Sequence, residues 1–150
     1  MALRRVVVGL DGSPNSRRAV AFMTRLRPTG GRVTCVRVVE PMRVPATPLL
    51  PGSMRAQLAG QADALDRAHR AAAQRQVDGA AATLSRAGWR ARGLVRTGLP
   101  LPALLAEVRA QRADALVLGA RGVGAVTHFL LGSVAEAALR RAPVAVMIVK

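Results

Sequence analysis

Short apolar runs separated by helix-length segments constrain this chain more than any other feature. Val6-Val7-Val8 with Leu10, Val33 to Val39, Ala115 to Leu118 and Val144 to Val149 are brief, rich in β-branched residues and bounded by turn residues, as buried strands are. Trp89 to Val95 alternates with Arg90, Arg92 and Arg96, which suits a further strand near a sheet edge with one wetter face. Strands joined through helices cannot pair as hairpins. They form parallel units with right-handed crossovers. The order β-α-β-α-β-α-β-α-β therefore predicts an α/β fold: an open five-stranded parallel sheet, doubly wound with helices on both faces, in a single domain over residues 1–150. Ligands of such sheets sit beyond the carboxyl ends of the strands, at the switch point.

The punctuation between the runs sets the remaining elements. Asp11-Gly12-Ser13-Pro14 closes the first strand, with Ser13 placed to cap a helix and Pro14 to occupy its first position. That helix carries Ala19, Val20, Met23 and Leu26 and breaks at Pro28 and Gly30-Gly31. Residues 41–54 hold Pro41, Pro45, Pro48, Pro51 and Gly52 and predict a long exposed loop. Leu58, Ala62, Leu65 and Ala72 recur at helical spacing, so Arg55 to Ala87 predicts one long helix, loosened near Gly79. Gly98 and Pro100 end the alternating strand, and further helices are predicted over Pro102 to Gln111 and Gly132 to Arg141.

The chain is 51% hydrophobic over 150 residues, enough for one full core. No stretch is long and apolar enough for a membrane span, and Arg4 and Arg5 precede too short an apolar run for a signal peptide. The single cysteine, Cys35, lies among valines, which predicts burial and fits a cytoplasmic location. A formal charge of +15 raises nucleic acid as a partner. The cations, all arginine apart from Lys150, are scattered along the chain, and aromatics make up only 2%. Weak, salt-sensitive contact without sequence preference is the expectation, with no specific nucleic-acid partner.

Gly119-Ala120-Arg121-Gly122-Val123-Gly124 directly follows a predicted strand, and Gly132-Ser133 opens the next helix. Glycines allow positive φ and let backbone N–H groups approach phosphate without an intervening Cβ. A helix N-terminus adds free N–H groups and the positive end of its dipole. Taken alone, such a cluster reads more readily as a tight connection followed by a serine cap.

The spacing of Gly119, Gly122 and Gly132-Ser133 resembles the nucleotide-binding pattern of ATP-binding universal stress proteins. Val6 to Ser13, Val38-Val39-Glu40-Pro41, Gly98-Leu99-Pro100, Ala113 to Gly119, Leu130 to Val134 and Ala142-Pro143-Val144 also look like segments of that family. The resemblance covers nearly the whole chain, with the proline-rich loop and the long helix least matched. It implies an adenine nucleotide alpha hydrolase-like, Rossmann-like fold that binds ATP or a related adenine nucleotide. Carried over by position, Gly119, Gly122, Gly132 and Ser133 hold ribose and phosphates, Asp11 lines the site, Val38 offers its backbone to adenine and Val134 adds a backbone contact. Ala120 and Ala135 stand where the family often has hydroxyl residues.

Catalytic machinery is far less legible than binding. No Walker-type or nucleophile-elbow motif occurs, and neither His69 nor His128 has a partner at metal-ligand spacing. Asp11 is a candidate oxygen ligand for a nucleotide-bound Mg²⁺, and Arg121 a candidate phosphate partner. The resemblance thus implies a nucleotide-binding regulator or sensor in stress response, acting through an unidentified protein partner. A slow ATPase or nucleotide-transfer enzyme on the same fold and a nucleotide-free interaction module are the alternatives. The final strand, apolar on both faces, predicts a homodimer formed at a sheet edge.

Overall fold

The computed structural model describes residues 3–26, 30–42, 50–121 and 131–150. Strands and helices alternate along them: β1 (Arg5–Leu10), α1 (Pro14–Arg25), β2 (Arg32–Val39), α2 (Gly52–Arg86), β3 (Arg90–Thr97), α3 (Pro100–Ala110), β4 (Ala115–Gly119), α4 (Ser133–Arg141) and β5 (Ala145–Val149). The five strands form one parallel sheet in the order β3-β2-β1-β4-β5. The chain winds outward from β1 to one edge, returns to β4 and proceeds to the other. Helices consequently cover both faces, as expected of a doubly wound α/β sheet.

Alternating side chains of the central strands feed two cores. Val6, Val8 and Cys35 join Met23 of α1 with Val77 and Leu84 of α2 on one face. Val7, Val36 and Leu116 join Leu104 and Val108 of α3 and Ala138 of α4 on the other. Trp89 closes the first core and donates its indole N–H to the Met23 carbonyl at 3.1 Å, so its polar tip is satisfied. Cys35 is fully buried, and burial pushes its thiol pKa up to about 12. It is a packing residue.

Helix starts are where the structure departs from expectation. Residues 52–54, assigned to a loop, are the first turn of α2, which begins directly after an extended Pro51. The third helix begins at Pro100 rather than Pro102. Both shifts have one cause: a proline at the start of a helix lacks only an N–H that has no acceptor there anyway. Gly79 does not loosen α2, which runs unbroken to Arg86, with the Thr83 hydroxyl donating to the Gly79 carbonyl.

Each helix runs antiparallel to the strands it connects. All four helix N-termini therefore lie at the carboxyl end of the sheet, and all four C-termini at the amino end. Every helix closes on arginine: Arg25, Arg86, Arg109, and Arg140 with Arg141.

Candidate functional site

A cavity of about 410 Å³ opens where β1, β2 and β4 end, at the point where the strand order reverses. Its walls come from Gly9 to Asp11, Val36 to Val38, Leu118-Gly119 and the first turn of α4, with Pro100 and Leu104 of α3 closing one side. This is where an open parallel sheet receives its ligands.

The β1–α1 turn is built from its own side chains. Gly12 takes φ +82°, which a Cβ would strain. The Ser13 backbone N–H donates to Asp11 Oδ1 at 2.9 Å. Ser13 Oγ accepts from the Ser16 N–H at 3.1 Å and donates to the Arg121 carbonyl at 3.1 Å. The cap of α1 is thereby tied to the segment leaving β4. That segment is pinned at its base, because Ala120 N–H donates to the Val149 carbonyl and Gly132 N–H to the Ala120 carbonyl, both at 2.7 Å.

Helix α4 then starts with Gly132 as its N-cap, and no side chain caps it. Ser133, which the alternative reading of the glycine cluster made a cap, is instead the first helical residue and is exposed. The first-turn N–H groups of Ser133, Val134 and Ala135 have no intrahelical acceptor. They present the positive end of the helix to the cavity rim.

Glycine is required for packing at the end of β4, whereas near the end of β1 a Cβ would meet only side-chain tips. A Cβ on Gly119 would lie 2.6 Å from the Asn15 carbonyl carbon and 2.7 Å from Ser16 N, both backbone atoms of α1. A Cβ on Gly9 would lie 2.5 Å from Leu118 Cδ2. Val38 sits one residue beyond the last β1–β2 pair, Leu10 with Arg37, while still paired to Arg96 on β3. The side of its backbone away from β3 is thus no longer covered by β1.

Arg37 stands in register with Leu10 and Val95, which places its side chain on the α1–α2 face. Its Nε and Nη1 are buried without a hydrogen-bond partner among the described residues, and Nη1 crowds Gly12 beside the Gln76 amide. A guanidinium in this condition favours nearby anions.

Of the residues singled out from sequence, Asp11, Val38, Gly119, Gly132, Ser133 and Val134 all line this cavity. Gly122 and His128 lie outside the described residues. Arg121 does not line the cavity; its carbonyl holds Ser13. Gly9, Arg37 and Glu40 also contribute and were not anticipated as site residues, although Gly9 and Glu40 lie within family-like segments and Arg37 directly precedes one. Among the described residues no group of three or more metal-ligating side chains occurs, and Asp11 and Glu40 are the carboxylates that line the cavity. No helix among the described residues is long and apolar enough to cross a membrane.

Comparison with known proteins bears on this site. No curated protein matches the sequence significantly. Among solved structures, hypothetical protein MJ0577 superposes with a TM-score of 0.81 at 15% identity, covering 100% of this chain and 97% of that one. A universal stress protein in complex with cAMP gives 0.64 at 23% identity, covering 99% and 98%. A universal stress protein family protein from Arabidopsis thaliana with AMP bound gives 0.63 at 18% identity, covering 98% and 91%. At these identities the structures show a shared fold. The sequence profile of the universal stress protein family matches residues 2–150, so this chain belongs to that family.

Proposed function

We propose that this protein is a regulatory domain that holds an adenine nucleotide, ATP with Mg²⁺ in the form we favour, in the cavity at the carboxyl ends of β1, β2 and β4. One observation carries the reading. An N-terminus of α4 without a side-chain cap meets glycine-lined strand ends on a single cavity of about 410 Å³, a volume in the range of small-molecule sites. Backbone N–H groups at a helix start bind phosphate without any dedicated side chain. The cAMP and AMP complexes of two structural neighbours support the same ligand class.

In this reading Gly132, Ser133 and Val134 hold phosphates, Gly119 and Gly122 border ribose and phosphates, and Val38 receives adenine with its exposed backbone edge. Asp11 supplies a carboxylate to nucleotide-bound Mg²⁺, an oxygen-seeking ion. Arg37, beneath Gly12, adds positive potential under the turn. The arrangement favours occupancy over turnover, with the nucleotide state read by a protein partner in the cytosol. A second copy pairs through β5, one of the two outer strands of the sheet.

Calorimetric titration with ATP, ADP, AMP and cAMP, with and without Mg²⁺, tests the site. Ser133→Ala removes one hydroxyl donor from an exposed position. A lost bond to a charged group, about 1.5–3 kcal/mol, should weaken binding by roughly one to two orders of magnitude. Absence of binding by the unaltered protein, with no nucleotide co-purifying, would sink the reading.

A further inference from the structure

Arginines scattered in sequence are gathered in space by the parallel register. Arg5 of β1 stands opposite Arg32 of β2, and Arg32 opposite Arg90 of β3. All three are exposed at the amino end of the sheet. Register partners share a face and lie about 4.8 Å apart from strand to strand. Like charges placed directly opposite destabilise a sheet. Arg4 extends the row, and a shallow recess of about 510 Å³ is walled by Arg4, Arg5 and Arg32 with Gly30.

The helix C-termini converge on this same end, each closed by arginine. Those arginines answer the negative ends of the helix dipoles. The strand row faces one carboxylate among the described residues, that of Asp114 beside Arg5, so most of its charge is surplus.

Little at this end neutralises it. The Asp114 carboxylate is engaged by the backbone N–H groups of Arg4 and Arg5 at 2.9 and 2.8 Å, with the Arg5 guanidinium 3.9 Å away. Glu107, a turn inside α3, is buried and bonded to Arg96 and Gln111. Leu139 is the one exposed large hydrophobic residue near this end among the described residues. An anchor for a protein hot spot or a membrane wedge is therefore scarce. Guanidinium forks match phosphate oxygens in pairs.

We propose that the amino end of the sheet, centred on Arg5, Arg32 and Arg90, is a contact surface for the phosphodiester backbone of duplex nucleic acid, engaged without regard to base sequence. Arginines that read as scattered along the sequence are thus neighbours on one surface in the fold. The contact carries no sequence preference in this proposal, because guanidinium groups on phosphates position a duplex without reading its bases.

Fluorescence anisotropy on a random-sequence DNA duplex, titrated in salt without nucleotide, tests this independently of the cavity. The unaltered protein should bind at about 50 mM salt and weaken steeply toward about 200 mM. The triple variant R5Q/R32Q/R90Q should bind less tightly and flatten the log–log salt slope by about 2.7, three contacts at about 0.9 each. The control R67Q/R70Q/R75Q removes equal charge from exposed positions on α2 and should leave the slope unchanged. Thermal melting should place the first variant no lower than the unaltered protein, because repulsion is relieved. Should it melt lower, Arg32→Gln alone carries the test with a slope change of about 0.9. Equal losses in both triples, no binding by the unaltered protein, or preference for phosphatidylserine vesicles or polyglutamate over duplex would each overturn the proposal.

Discussion

Gly119 serves the fold before it serves any ligand, because α1 backbone occupies the space a Cβ would need. Gly119→Ala should therefore cost about 1–3 kcal/mol in urea unfolding measured without nucleotide. Equal midpoints for variant and parent would show that the contact relaxes freely. Asp114 makes a second prediction. The Arg5 backbone N–H holds its carboxyl below the ordinary 3.8, helped by the Arg4 N–H and both guanidinium charges. A depressed folded-state pKa means stability that is present above the ordinary value and lost as pH falls through the folded one. Asp114→Asn should thus lower the melting temperature at neutral pH, and the gap to the parent should close below about pH 4. A gap that stays constant down to pH 2 would assign the effect to something other than charge. Cys35, buried and with a raised pKa, should react with a thiol reagent only as fast as the domain opens.

Among the elements, β5 lies at one edge of the sheet with Val146 to Val149 only half-buried. If a second copy covers it as proposed, Met147→Arg should yield monomer in sedimentation at concentrations where the parent sediments as dimer. Leu84 of α2 is fully buried, and Leu84→Ala should cost about 2–5 kcal/mol in denaturant unfolding. What could be read beforehand follows from how local the signals are. Val6 to Leu10, Val33 to Val39 and Ala115 to Leu118 are unmistakable as buried strands because apolar runs of that length have few other uses. Both edge strands were legible too, β3 from its alternation and β5 from its place at the end of the chain. Pro51 and Pro100 misled because proline ends most elements, yet it also opens helices. Six residues carried over from the family resemblance line the cavity, and of these only the glycines and the start of α4 carry a local signal of backbone-mediated binding. Arg37 escaped notice, since its buried guanidinium depends on the register of β2 with β1 and the approach of Gln76, neither visible along the chain.

For the whole molecule, a formal charge of +15 implies self-repulsion that dissolved salt screens. Melting temperature should therefore rise from low to moderate sodium chloride at neutral pH. A flat or falling trend would mean that local pairs outweigh the net charge. The distribution matters as much as the sum. Asp11 and Glu40 border the cavity at the carboxyl end, whereas the strand row and the helix-closing arginines occupy the amino end. If that row outweighs the opposing helix dipoles and the arginines near the cavity, Arg17, Arg18 and Arg37, the protein carries an electric moment along the strand direction. A polyanion in solution would turn it by torque before contact, as a field aligns a dipole, so that encounters favour one pole. Docked in that pose, the molecule holds its cavity mouth outward, and a small solute can enter and leave as though the polyanion were absent.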